Sequence, residues 1–121
     1  MPFLTLDYSA NLDAVDVPGL LLRLNQALVD SGQTKEVDIK SRAIRFDTFQ
    51  VGTSTTGARA FAHVKVSLLS GRTPEIKKDI ADRLLAVLKA EAGWPAAMLV
   101  QMAVQLDDID RAAFVSFRLG D

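Results

Sequence analysis

From Pro2 to Tyr8 the chain alternates, with Pro2, Leu4, Leu6 and Tyr8 on one side and Phe3, Thr5 and Asp7 on the other. A period of two predicts a β-strand, and proline is tolerated at its start because the first residue need not donate to the ladder. After a polar stretch from Ser9 the rhythm changes. Leu20, Leu21, Leu24, Ala27 and Leu28 recur at three- and four-residue spacing, the buried stripe of a helix. Asp16 is placed to cap it, Pro18 falls in its first turn and Gly32 is its stop, so the helix is expected from about Pro18 to Ser31.

Val37 to Phe49 reads as a less regular strand, with a bulge or bend near Ser41 to Arg45 where Ile44, Arg45 and Phe46 break the rhythm. Gly52-Thr53-Ser54-Thr55-Thr56-Gly57 is rich in turn formers, and the chain is expected to reverse between Asp47 and Ala60. The clearest strand is Ala60 to Leu69, with Ala60, Ala62, Val64, Val66 and Leu68 on one face. Ser70-Gly71-Arg72 then turns the chain, and Thr73-Pro74-Glu75 opens a second helix carrying Ile76, Ile80, Leu84 and Leu88. Gly93-Trp94-Pro95 ends that helix, a strand is expected from Ala97 to Asp107, and Phe114 to Leu119 reads as a short terminal strand.

The order is strand–helix–strand, twice. Two βαβ units give an α+β fold, a four-stranded sheet with two helices on one face. Each crossover is expected to be right-handed and to join parallel strands. Phe3, Phe61 and His63 fall on the other face, and a symmetric oligomer is the simple way to cover it. The 121 residues are expected to form one domain, 1–121.

Composition narrows the chemistry. Apolar residues make up 49% and charged residues 24%, the balance of a soluble globular protein. A formal net charge of -1 with scattered signs gives no basic stripe for nucleic acid. There is no cysteine and one histidine, so neither a thiolate site nor an ordinary zinc site is expected. No apolar run approaches the ~18 residues that cross a bilayer. The first residues lack a basic leader and reach Asp7 early, so a cytoplasmic protein without a membrane partner is expected.

No nucleophile elbow, phosphate-cradling loop or dinucleotide fingerprint is present, and no cofactor is expected. Asp107, Asp108 and Asp110 read as a solvated turn between strands. His63 reads as a packed or inter-subunit histidine, and Trp94 as a core plug or a hinge to the last strand. Pro2, taken alone, reads as a strand start.

An ordered set of segments changes that reading. Met1-Pro2-Phe3-Leu4, Val17-Pro18-Gly19-Leu20, Ile39-Lys40-Ser41-Arg42-Ala43 with Asp47-Thr48-Phe49-Gln50, and Phe61-Ala62-His63-Val64-Lys65-Val66 with Gly71-Arg72-Thr73 follow one another. To about Leu106 the chain resembles the 5-carboxymethyl-2-hydroxymuconate isomerase family of the tautomerase superfamily. The resemblance implies a homotrimer in which Met1 is removed and Pro2 becomes the general base. A free α-amine has a reference pKa of roughly 7.7–8.0, and burial and nearby cations lower it toward the range useful for proton transfer.

The implied substrate is a small anionic keto or enol acid carrying several carboxylates, formed in the breakdown of homoprotocatechuate. The resemblance implies that Lys40, Arg42 and Arg72 bind it, with Arg72 just before the cap of the second helix. At position 40 the family pattern has arginine; lysine keeps the charge but not the planar fork. Two further readings stay open at this level: a tautomerase of another keto-enol acid such as an aryl pyruvate, and a non-enzymatic trimeric binding protein on the same fold.

Overall fold

Leu4 and Leu6 lie on the buried side of the first strand, and everything else is arranged to cover them. A computed structural model describes residues 1–120; Asp121, the last residue of the expected domain, lies outside them. The elements in chain order are β1 (Phe3–Ser9), α1 (Val17–Asp30), β2 (Lys40–Phe46), β3 (Arg59–Leu69), α2 (Pro74–Ala90) and β4 (Leu99–Ile109). Short 3-10 turns occupy Glu36–Asp38 and Arg111–Ala113. The sheet order is β2-β1-β3-β4. β1 is parallel to β2, β3 is parallel to β4, and the two halves meet through the antiparallel pair β1 and β3.

Both helices start where their side chains can cap them. Asp16 Oδ1 accepts from the Gly19 N–H at 3.1 Å, and Thr73 Oγ1 accepts from the Ile76 N–H at 3.2 Å. Gly32, at φ +77°, follows the end of α1. The helical stripes Leu20, Leu24, Leu28 and Ile80, Leu84, Leu88 pack with Leu4, Leu6, Val64, Val66 and Leu68 of the sheet. Each of these side chains is at most 1% exposed, and burying one contributes about 1.5–3 kcal/mol. None of the described helices is long and apolar enough to cross a membrane.

Four expectations are corrected. Val37 to Ile39 is not strand: the Asp38 and Ile39 N–H groups donate to the Lys35 and Glu36 carbonyls at 3.0 and 3.2 Å, closing a 3-10 turn. β2 begins only at Lys40 because its parallel partner starts at Phe3, opposite Lys40. From there the pairing runs without a bulge to Ser9 opposite Phe46; the irregular rhythm near Ile44 reflects exposure on an edge strand.

The acids were expected in a turn, yet β4 continues through Asp107 and Asp108 to Ile109, because β3 offers it partners as far as Leu69. Finally, Phe114 to Leu119 joins no sheet. Val115, Phe117 and Leu119 are 92%, 88% and 86% exposed; the alternation is strand-like, but the segment has no ladder partner.

Candidate active site

The site grows from the start of β1. Pro2 is fully buried, and its carbonyl accepts the first interstrand hydrogen bond from the Lys40 N–H at 3.2 Å. The parallel register then sets Lys40 beside Phe3 and Arg42 beside Thr5, on the face of the sheet away from the helices. The Lys40 ammonium donates to the Asp38 carbonyl at 2.8 Å and lies 3.6 Å from the Met1 sulfur and 5.6 Å from the Phe3 ring centroid. A cation over an aromatic face is held there by the ring quadrupole.

Arg72 reaches the same end of the sheet from the turn after β3. Its Nη1 donates to the Leu69 carbonyl at 2.9 Å and its Nη2 to the Gln33 carbonyl at 3.0 Å, while Nε is buried without a partner. With one N–H of each outer nitrogen already held by the backbone, Arg72 is a fixed positive charge more than a free fork. Arg111, in the turn after β4, donates from Nε to the Ser70 carbonyl at 2.5 Å. Gly71, at φ +121°, takes a backbone conformation that side chains rarely adopt, so glycine lets the chain turn beside Arg111.

These charges converge on the chain terminus. The Met1 ammonium is held below its ordinary pKa of 8.0, first by desolvation and then by the fields of Arg72, Lys40 and Arg111, with Asp38 pulling the other way. Beside it is a cavity of about 200 Å³ lined by Met1, Val37, Asp38, Lys40, Phe117 and Arg118. The Pro2 nitrogen is three bonds further along, so at most about 4.3 Å from the terminal nitrogen. While Met1 is attached that nitrogen is an amide and has no basicity; a free Pro2 would carry a secondary amine in the same field.

Of the four residues singled out from sequence, Pro2, Lys40 and Arg72 are brought together. Arg42 stands apart on the exposed side of the edge strand, one pleat beyond Lys40. Sequence reasoning missed Arg111 and Arg118; both lie beyond Leu106, where the resemblance fades, and only the length of β4 carries Arg111 back to Ser70. His63 pairs across the ladder with Asp7 and Ala103, on the face away from the helices and away from the terminus. Trp94 donates to the Leu88 carbonyl at 2.6 Å and closes the end of the core. Another cavity, about 230 Å³, lies in the β2–β3 loop around Phe49 and Arg59 and includes none of the candidate residues.

The family model described as "CHMI: 5-carboxymethyl-2-hydroxymuconate isomerase" matches residues 2–116. Among solved structures, a 5-carboxymethyl-2-hydroxymuconate isomerase from Deinococcus radiodurans R1 is similar with a TM-score of 0.88 and 27% identity, over 98% of this chain and 90% of that one. A 5-carboxymethyl-2-hydroxymuconate delta-isomerase gives a TM-score of 0.85 at 19% identity, over 98% and 89%. A fused 4-OT described as a wild type symmetric trimer shares the fold, with a TM-score of 0.72 at 23% identity over 91% and 87%. No curated protein sequence matches the chain.

Proposed function

The chain belongs to the 5-carboxymethyl-2-hydroxymuconate isomerase family and is an isomerase of the tautomerase superfamily; from that premise we propose that Pro2, once Met1 is removed, is its general base. The observation that carries this reading is the convergence of Arg72, Lys40 and Arg111 on the terminal nitrogen beside a cavity. The substrate is an unsaturated 2-hydroxy or 2-oxo polycarboxylic acid of the 5-carboxymethyl-2-hydroxymuconate kind.

The Pro2 nitrogen takes the proton from the 2-hydroxyl group. The oxygen lone pair forms the C=O bond, the conjugated double bonds shift, and the distal carbon takes the proton back from the prolinium. Nothing is oxidised or reduced, and the base is regenerated. Arg72 and Arg111 stabilise the negative charge that develops on the oxygen, and Lys40 binds a carboxylate.

The assembly we propose is a trimer. Ile44 and Leu99 are 45% and 55% exposed on the edge strands, and the apolar tail residues also need cover. In that assembly the face of β2 carrying Arg42 meets a second copy, so Arg42 serves substrate only if it is presented across the subunit boundary.

The test is a spectrophotometric ketonisation assay on protein whose mass shows that Met1 is absent. Activity on 2-hydroxymuconate-type acids is expected, with Pro2→Ala lowering kcat by about 10²–10⁴. Full activity with Met1 retained would overturn the reading. A second specificity, toward a monocarboxylic keto-enol acid such as an aryl pyruvate, is favoured by Lys40, a point charge without the planar fork that pairs with a carboxylate bidentately. Comparing kcat/KM on mono- and dicarboxylic substrates separates the two.

A further inference from the structure

The cavity beside Met1 has two walls of different origin. Val37, Asp38 and Lys40 come from the connection into β2, and Phe117 and Arg118 come from the C-terminal tail. The base of the tail is fixed to the site. Phe114 packs edge-on against Phe3, with ring centroids 6.1 Å apart and planes at 67°, and Arg111 is bonded to the Ser70 carbonyl. Beyond Phe114 the tail runs past the cavity, which Phe117 and Arg118 both line.

Within the lining, Asp38 is the one acid, and its charge would repel an incoming carboxylate. Lys40 is turned to the Asp38 carbonyl and the Met1 sulfur. Arg118 belongs to the same lining, and a guanidinium can offer two parallel N–H donors to a second carboxylate. We propose that Arg118 is a specificity-determining residue: it receives the carboxylate farthest from Pro2 and sets the preference for dicarboxylic over monocarboxylic acids. The inference rests on the reading of Pro2 as the base and adds the tail to that site.

The test uses Met1-free protein and two inert six-carbon dienoic acids, sorbate with one carboxylate and cis,cis-muconate with two. Their binding is measured by calorimetry, beside steady-state kinetics on a 2-hydroxymuconate-type diacid. The unaltered protein is expected to prefer muconate. Arg118→Gln is expected to weaken muconate binding and raise KM for the diacid about tenfold, with sorbate binding unchanged and kcat within about twofold. Arg118→Lys should recover part of the loss.

Equal loss for both probes, no loss for muconate, or no preference in the unaltered protein overturns the proposal. Arg118 is exposed, and circular dichroism of the variant separates loss of the contact from loss of fold. Probe binding needs no turnover, so an inactive unaltered protein would remove the proposed reaction while the probes still decide the role of Arg118.

Discussion

Arg111 Nε and the Ser70 carbonyl are 2.5 Å apart, and this contact joins the turn after β4 to the turn that carries Arg72. Two cations from distant parts of the sequence thereby both act on the terminal nitrogen. Arg111→Gln removes one of the fields that disfavour the protonated amine. The acid limb of kcat/KM should therefore move to higher pH, measured as a full pH–rate profile against the unaltered enzyme.

The same balance fixes the direction of pH dependence. A free Pro2 amine in the field that holds the Met1 amine down should be shifted in the same direction, so kcat/KM should rise with pH as that amine loses its proton. Asp38 opposes the depression. Asp38→Asn should accordingly shift the limb to lower pH, opposite to Arg111→Gln; a shift in the same direction would contradict the electrostatics. In the chain that keeps Met1, the unfolded state binds the extra proton in the window below pH 8.0, so the Met1 amine makes the fold more stable as pH rises.

Lys40→Arg tests the point charge at the start of β2. A planar fork in place of a point charge should lower KM for a dicarboxylic acid while leaving kcat nearly unchanged. Lys40→Ala should raise KM about tenfold, because a charge-assisted contact to the carboxylate is lost.

Thr73→Ala separates the cap from the chemistry. Loss of the hydrogen bond to the Ile76 N–H should cost about 1 kcal/mol in urea denaturation. It should also raise KM, because Arg72 precedes the cap directly. By comparison Leu24→Ala, at a position with no exposure, should cost about 2–5 kcal/mol of stability. Its effect on the site should be small, since Leu24 packs on the core side of α1.

Both helices were legible because their start signals are local: Asp16 with Pro18, and Thr73 with Pro74, each act within one turn. The start of β2 was not. What delays it to Lys40 is the partner strand's own beginning at Phe3, and a hydrophobic pattern carries no register. The tail misled for a related reason. Phe114 to Leu119 alternates like a strand, but a strand needs an edge to pair with, and that edge is a property of the assembled sheet. At the site, Arg72 could be singled out because it belongs to a turn with a recognisable cap. Arg111 follows a run of acids that reads as solvated, and only the eleven residues of β4 return it to Ser70.

The bond from the Lys40 N–H to the Pro2 carbonyl does not depend on Met1. The outermost rung of the sheet is made by an oxygen, on the far side of Pro2 from the peptide bond that an aminopeptidase would cut. Proline has no N–H to contribute to a ladder. Removing Met1, as the proposed role of Pro2 requires, would therefore break no rung: the scaffold would be finished before the nitrogen is freed.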